Sequence, residues 1–291
     1  MATEEDWISA GKIAGEALQF GKSIAKPGIK LLDLADQIED KIYALGAKPA
    51  FPTNLSLNQI AAHYVPSIND ELILKEEDVL KIDVGSEVNG AIGDTALTIG
   101  PKTELIKATE EALRAAIKEA YTGNEICKIG RAIKETLQSL GFSPIKNLSG
   151  HGLAEYSVHS GLTIPNFDNG NTKVLEEGMH IAIEPFATRG EGVVVEGAPS
   201  NIYKLEILKT PRNFTARKVL KFVVENYKTL PFARRWVENK VRGSAITFPL
   251  LVRDGILHSY AQLKEKSNAL VAQTEHSMII KDNPIVTTKV D

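Results

Sequence analysis

Two stretches of the chain, 95 positions apart, carry the same pattern of apolar residues, and each ends at a glycine. Two shorter motifs recur in the same order. The matched residues are Leu31/Ile126, Leu34/Ile129, Ile38/Ile133, Ile42/Leu137, Leu45/Leu140 and Gly46/Gly141, then Asn54-Leu55-Ser56/Asn147-Leu148-Ser149, then Leu80-Lys81-Ile82-Asp83/Ile181-Ala182-Ile183-Glu184. Any two amphipathic helices share an apolar stripe, but the common order of three elements favours a repeat. We therefore predict two similar halves about a pseudo-twofold axis, where side chains from both halves converge.

Helical and strand-like patterns alternate in the first half of the chain and recur in the second. Apolar periodicity predicts helices at about 5–22, 31–45, 103–121 and 125–140, with strand-like segments between the second and the third. Residues 199–258 break this order, and we interpret them as a helical insert in the second half. The expected organisation is one α+β domain over residues 1–291 that contains this insert.

A β-hairpin is predicted around Asn89-Gly90, because two apolar-rich runs flank this dipeptide and it is favoured in two-residue hairpin turns. In the register that this turn sets, Val88 faces Ala91, and the apolar residues of both strands share one face toward the core. The opposite face carries Asp83 and Asp94 as diagonal neighbours, with Cα atoms roughly 7–8 Å apart.

Two carboxylates on one face of a hairpin repel each other, so the pKa of one of them rises unless a cation lies between them. Asp83 and Asp94 stand opposite Ala96 and Gly85, which are small enough to leave room for an ion. The alternative is a hairpin whose acidic face is turned to solvent, and the pair by itself does not distinguish the two interpretations.

Further polar residues stand in apolar surroundings later in the chain. His151 and His159 are eight positions apart and share a face if the stretch between them is extended. Glu184 ends an apolar strand-like run, and Glu275 precedes another. A buried carboxylate needs a partner, because an unpaired charge in the interior is costly. Taken singly, each histidine could serve packing, and each glutamate could cap a strand at the surface.

Together, two aspartates, a histidine and two glutamates form a ligand set that is rich in oxygen. Such a set suits Mn, Co, Fe or Zn better than it suits a structural zinc, which favours cysteines. The chain has a single cysteine, Cys127, so neither a cysteine cluster nor an intrachain disulfide is available. The sequence therefore predicts a site for divalent metal ions at which both halves of the repeat meet.

Composition restricts the expected location and partners. Acidic residues occupy positions 4–6, where a secretory signal would carry an apolar run, and no apolar run reaches the ~20 residues that span a bilayer. We therefore expect a cytoplasmic protein without a membrane segment. The net charge is −3, and no clustered basic face is evident, so direct nucleic-acid binding is not expected.

These residues lie in motifs that resemble those of the type II methionine aminopeptidases, in particular the archaeal members, and the resemblance covers nearly the whole chain. The motifs that carry it are Ala50-Phe51-Pro52-Thr53-Asn54-Leu55-Ser56, Ala61-Ala62-His63-Tyr64, Lys81-Ile82-Asp83-Val84-Gly85, Gly93-Asp94, Gly150-His151-Gly152, Val158-His159-Ser160-Gly161, Ala182-Ile183-Glu184-Pro185-Phe186 and Gln273-Thr274-Glu275-His276. The resemblance implies the pita-bread fold of the creatinase and aminopeptidase superfamily. The insert between the two glutamates is typical of type II.

The resemblance also implies a role for each matching residue. It implies two divalent metal ions per chain (Co, Mn, Fe or Zn), held by Asp83, Asp94, His151, Glu184 and Glu275, with Asp94 and Glu275 bridging both. The implied catalytic residues are His63, His159 and Glu184. Glu184 would transfer the proton, and the histidines would hydrogen-bond the substrate. The implied pocket for the methionine side chain is lined by Phe51, His63, Val158, His159 and Tyr260.

The implied activity is that of a hydrolase that removes the N-terminal methionine from nascent proteins and peptides and prefers a small second residue. The expected partners are Met-Xaa peptides and nascent chains near the ribosome, and a monomer is expected. A prolidase or aminopeptidase P on the same fold is one alternative, but those enzymes carry an additional N-terminal domain that we do not expect here. A catalytically inactive binding protein is another, although all five implied ligands are present.

Overall fold

The computed structural model describes residues 1–290. The helices are α1 (Glu4–Ile24), α2 (Leu31–Ala44), α3 (Thr103–Lys118), α4 (Ile126–Ser139), α5 (Phe214–Asn226), α6 (Arg234–Glu238) and α7 (Phe248–Arg253), with a 3₁₀ turn at Ser244–Thr247. The strands are β1 (Lys48–Leu57), β2 (Ile60–Ala62), β3 (Leu80–Val88), β4 (Ala91–Ile99), β5 (Ser143–Pro144), β6 (Ser149–Leu153), β7 (Thr163–Pro165), β8 (His180–Ile183), β9 (Phe186–Thr188), β10 (Val194–Leu205), β11 (Phe232–Ala233), β12 (Leu257–Glu265), β13 (Val271–Gln273), β14 (Glu275–Ile279) and β15 (Ile285–Val286).

The four helices predicted from apolar periodicity are present as α1 to α4. Thr3 caps α1 through a reciprocal pair of hydrogen bonds with Asp6, which satisfies backbone donors that the first turn leaves free. Gly46 and Gly141 follow α2 and α4 with φ of 90° and 80°, a left-handed conformation that glycine adopts at low cost. The matched glycines of the repeat therefore end matched helices.

The main sheet shows the predicted symmetry. Its strands run in the order β1-β3-β4-β14-β8-β6-β7, with β15 beside β14. The central pair, β4 and β14, is antiparallel. It is flanked first by β3 and β8 and then by β1 and β6, so the strand order reads alike outward from the centre in both directions. The two halves of the chain therefore meet at the β4–β14 pair.

Each half of the sheet has its own apolar core. One core joins α1 and α2 to β3, through residues such as Leu34, Ile38 and Ile82. The other joins α3 and α4 to β8 and β14, through residues such as Ile129, Ile133 and Ile181. The apolar stripes that define the repeat in the sequence are the faces that these helices bury.

The predicted hairpin forms as β3 and β4. Val88 pairs with Ala91, Asp83 with Ala96, and Gly85 with Asp94, so the predicted register is confirmed residue by residue. Asn89 and Gly90 both have positive φ, of 52° and 96°, as the favoured two-residue turn requires.

The stretch 199–258 is helical only in its middle. The helices α5, α6 and α7 lie between residues 214 and 253, whereas the start of the stretch belongs to β10 and its end to β12. These two strands pair with β11 and β2 in a second sheet, of order β11-β10-β12-β2. A third sheet has the order β13-β9-β5. No helix within residues 1–290 is long and apolar enough to cross a bilayer.

Candidate metal centre

A cavity of about 310 Å³ lies where the two halves meet, and it gathers every predicted site residue. Its lining includes Phe51, His63, Asp83, Asp94, His151, Val158, His159, Glu184, Tyr260 and Glu275. These residues come from both halves of the repeat and from β12. Their convergence is what the pseudo-twofold arrangement predicts.

The polar floor of the cavity is built on the central strands. Ligand atoms of Asp94, His151 and Glu275 all lie within 4.8 Å of one another. The Nε2 atom of His151 is 3.7 Å from Asp94 Oδ2 and 3.9 Å from Glu184 Oε1. Asp83 and Glu275 lie in the same row across the sheet, because both pair with Ala96 of the strand between them. The five predicted ligands are thus brought together.

The carboxylates of the floor carry strongly perturbed pKa values. Burial raises the pKa of Asp83 from 3.8 to about 7. Burial, followed by repulsion from neighbouring carboxylates, raises the pKa of Asp94, Glu184 and Glu275 well above the usual range. Within residues 1–290, no lysine or arginine forms a salt bridge with any of these four groups.

These observations fit a divalent cation. In the part of the chain that the structure describes, Asp83 Oδ1 and Glu275 Oε1 are buried without a hydrogen-bond partner. Burial, followed by the charge of His159, lowers the pKa of His151 to about 3, so its imidazole is neutral and offers a lone pair. Unpaired carboxylate oxygens beside a neutral imidazole form a donor set that divalent transition metals accept.

Gln273 is a part of the centre to which the sequence assigned no role. Its Nε2 donates to Glu184 Oε2 at 3.2 Å and to Glu275 Oε2 at 3.4 Å, and so links the two glutamates. Its backbone N–H in turn donates to Thr98 Oγ1 at 2.8 Å. The only signal in the sequence was its place in the Gln-Thr-Glu-His motif.

Two hydroxyl groups join the central strands behind the floor. Thr95 Oγ1 donates to Glu275 O at 2.8 Å, and Asp94 N donates to Ser277 Oγ at 3.0 Å. These side chains bridge β4 and β14, so the carboxylates of both halves are fixed to one rigid strand pair.

The two histidines above the floor are held differently. His63 follows β2 with φ of 69°, a conformation that is uncommon outside glycine and that is found at strained functional positions. Its Nδ1 is 3.1 Å from Ala261 O, which can only accept, so Nδ1 carries the proton. Burial lowers the pKa of His63, and burial together with His63 lowers the pKa of His159 to about 4.

The stretch between His151 and His159 is not extended, so the condition under which they would share a strand face is not met, although the two side chains do meet. The strand β6 ends at Leu153, and Ala154 bridges back to Ser157 through a tight turn. This turn, and not strand periodicity, brings the two imidazole rings to a centroid separation of 4.4 Å.

The apolar wall of the cavity includes three of the five predicted pocket residues and several others. Phe51, Val158 and Tyr260 line it, and Tyr260 packs edge to face on His63 with ring centroids 5.5 Å apart. A side chain at Gly85 would overlap the Phe51 ring. Residues that the sequence did not point to are Leu162, Phe186, Ile202, Pro231 and Leu263.

Comparison with known proteins places the chain in one family. The model of metallopeptidase family M24 matches residues 7–213. The methionine aminopeptidase of Archaeoglobus fulgidus is 45% identical over 288 residues, and that of Pyrococcus abyssi is 47% identical over 290 residues. The two alignments cover 98% and 97% of this chain, and 98% of each relative. The crystal structure of the Thermotoga maritima methionine aminopeptidase superposes with a TM-score of 0.73 at 25% identity, over 99% of this chain and 98% of that one. The pita-bread fold is therefore confirmed, and the chain belongs to metallopeptidase family M24, among relatives that are methionine aminopeptidases.

Proposed function

We propose that this chain is a metal-dependent aminopeptidase that removes the N-terminal methionine from peptides and nascent proteins, with a preference for a small second residue. The observation that carries the proposal is a cluster of four carboxylates and a neutral imidazole at the floor of a small apolar-walled cavity. Asp94, Glu275 and His151 are buried, Asp83 and Glu184 are partly buried, and no lysine or arginine of residues 1–290 lines this cavity. The close relatives named methionine aminopeptidase support the same activity.

Two divalent ions, of Co, Mn, Fe or Zn, are the proposed cofactors. Asp83 would hold one, His151 and Glu184 the other, and Asp94 and Glu275 would be shared between them. When bound, such ions polarise a carbonyl group and lower the pKa of water toward neutrality. The unpaired oxygens of Asp83 and Glu275 support this assignment, because each has a free lone pair directed at no protein group within residues 1–290.

Glu184 is the proposed general base and acid. Its carboxylate lines the cavity within the proposed ligand set, so it could reach a water that the ions would hold. Gln273 donates to Oε2 of this carboxylate, which leaves Oε1 directed toward His151 and the cavity. Glu184 would take a proton from the attacking water and deliver it to the leaving amine.

The hydrogen bond of His63 indicates that the two histidines have different roles. With its proton on Nδ1, the neutral ring presents a lone pair at Nε2, so His63 would accept the N–H of the second substrate residue. His159 lies above the floor, with its ring beside that of His151, and would donate to the carbonyl oxygen as negative charge develops on it.

The apolar wall accounts for the proposed selectivity. Phe51, Val158 and Tyr260, together with the two histidines, enclose a space in which a flexible thioether side chain can adjust its shape. If the wall surrounds the first residue of the substrate, a peptide would need a free chain end to enter, and one residue would be removed at a time. We further propose that the chain acts as a single cytoplasmic domain, as a monomer, on chains near the ribosome.

The test is turnover of a Met-Ala-Ser peptide by the metal-loaded chain, with mass spectrometry of the products. We expect free methionine and Ala-Ser, and much slower cleavage when the second residue is bulky. An Xaa-Pro dipeptide is the comparison substrate. Hydrolysis of Xaa-Pro in preference to Met-Ala-Ser would replace the proposal with a prolidase, and bound metal without any peptidase activity would indicate an inactive binding protein.

A further inference from the structure

A buried ion pair joins α6 of the insert to α2 of the first half. Arg235 is 2% exposed and Glu39 is 5% exposed, and Arg235 Nη2 lies 2.5 Å from Glu39 Oε1. Arg235 Nε also lies 3.2 Å from Asp36 Oδ1, on a side chain that is 56% exposed. A buried pair is favourable only when its geometry and its other hydrogen bonds are good, so its remaining contacts show what it holds in place.

Glu39 supports an irregular part of β1. Its Oε1 accepts the backbone N–H of Thr53 at 3.1 Å, and its Oε2 accepts Trp236 Nε1 at 2.7 Å. The pairing of β1 with β3 shifts register between Phe51 and Asn54, and Thr53 has no ladder partner there. Glu39 therefore satisfies a backbone donor that this bulge leaves without a partner in the sheet.

The bulge determines which side chains face the cavity. Phe51 and Asn54 are three positions apart, so in a regular strand they would point to opposite faces. Both line the cavity, because the irregularity between them changes the alternation. The carboxylate of Glu39 thus helps to keep Phe51 in the apolar wall.

Arg235 lies close to a second part of the cavity wall. Ala233 pairs with Ile202 across β10 and β11, and both Ile202 and Pro231 line the cavity. Arg235 is the second residue after β11, and its Nη1 lies 3.5 Å from Pro66 O, in the segment that continues from His63. One guanidinium therefore connects the insert, α2 and the chain that leaves His63.

We infer that Arg235 and Glu39 are positioning residues that set the width of the pocket for the methionine side chain. They hold the wall formed by Ile202 and Pro231 at a fixed distance from Phe51. Neither residue lines the cavity, so neither contacts substrate or metal. The inference rests on the proposed aminopeptidase function and adds to it the source of side-chain selectivity.

Loosening this pair has a specific kinetic signature. A wider pocket binds methionine less well and rejects bulkier first residues less well, because one methylene of misfit changes discrimination by about tenfold or more. The carboxylates of the floor stand on β3, β4 and β14 and directly after β8, and none of them belongs to α6. We therefore expect KM for Met-Ala-Ser to rise about tenfold with a smaller change in kcat, and the preference for Met-Ala-Ser over Phe-Ala-Ser to fall by a similar factor.

The experiment compares Arg235→Lys and Glu39→Gln with a matched control, Arg234→Lys. Arg234 is the preceding residue of the same helix, and its Nε pairs with Glu238 Oε1 at 2.7 Å, so its ion pair stays within the insert. Kinetics with both peptides are measured on metal-loaded protein, together with metal stoichiometry by elemental analysis and melting temperature. The control is expected to retain the KM and selectivity of the wild type.

Asp36→Asn keeps the test decisive if the buried variants fold poorly. Asp36 is more than half exposed, and Arg235 still has Glu39 as an ion-pair partner without it, so the loss of Asp36 leaves no buried charge unpaired. It is expected to shift selectivity in the same direction by a smaller factor. Selectivity of all folded variants within twofold of the control, or an equal fall of kcat for both peptides with lost metal, would overturn the inference. A wild-type chain inert toward Met-Ala-Ser would instead refute the proposed function itself.

Discussion

Replacing Asp83 by asparagine is expected to stabilise the metal-free protein at pH 8, even though it removes a proposed metal ligand. The carboxylate is buried beside other carboxylates, and burial raises its pKa from 3.8 to about 7. Between these two pH values the folded chain holds more protons than the unfolded chain, so stability falls as the pH rises. Above pH 7 the folded state carries the full cost of this charge.

The size of the effect follows from the shift. One pKa unit corresponds to about 1.4 kcal/mol, so a rise of roughly three units bounds the cost at about 4 kcal/mol. Asp83 also faces the cavity, where water screens its charge. We therefore expect the asparagine variant to gain about 2 kcal/mol in free energy of unfolding at pH 8 without metal. At pH 4 the gain should be close to zero, because the folded wild type is then protonated at this position.

The assay is urea unfolding of chelator-treated wild type and Asp83→Asn at pH 4 and pH 8, repeated with metal. In the metal-loaded form the order should reverse, because the ion stabilises only the chain that binds it. Asp168→Asn serves as the control, since hydrogen bonds from Gly170 and Arg131 lower the pKa of Asp168 and its removal brings no such gain. An Asp83→Asn variant no more stable than the wild type at pH 8 without metal would refute this account of the floor.

Four further predictions concern the centre. His63→Ala combined with His159→Ala should lower kcat/KM by about 10²–10³ while metal content stays unchanged, and full activity would remove the histidines from the mechanism. Glu275→Ala should lower metal stoichiometry in elemental analysis and abolish activity, and unchanged stoichiometry would contradict its bridging role. Because burial lowers the pKa of His159 to about 4, this group should destabilise the fold as the pH falls from 6.5 toward 4, and His159→Gln should flatten that part of the unfolding curve. Ser277 Oγ accepts the backbone N–H of Asp94, so Ser277→Ala should displace Asp94 and weaken metal binding. The free energy of unfolding should fall by about 1 kcal/mol.

The parts of the fold that follow local rules were predictable from the sequence. The hairpin register was correct at every position because the Asn89-Gly90 turn and the apolar alternation specify it together. The ends of α2 and α4 were predictable because Gly46 and Gly141 each adopt the left-handed conformation after the helix. The symmetry of the sheet was predictable from the repeat, because the helices of both copies bury the same stripe of apolar residues against it.

Other features depend on contacts that no local pattern encodes. The turn at residues 154–157 reverses the chain between His151 and His159, and the spacing of eight positions does not reveal whether the segment between them is extended or turned. Ile202 and Pro231 reach the cavity only because β10 and β11 pair beside it. Gln273 was visible as a motif residue, but its double hydrogen bond depends on how β9, β13 and β14 lie together.

The junction between β4 and β14 has a consequence for how the protein matures. Asp94 comes from one copy of the repeat and Glu275 from the other, and the two are 181 positions apart. If the proposed ligand set is correct, neither copy alone can supply a complete coordination sphere, so ion uptake would have to wait until distant parts of the polypeptide have assembled. Metal affinity would thus report on the assembly of the two halves. A substitution that disturbs their packing should weaken ion binding even when it lies far from any ligand.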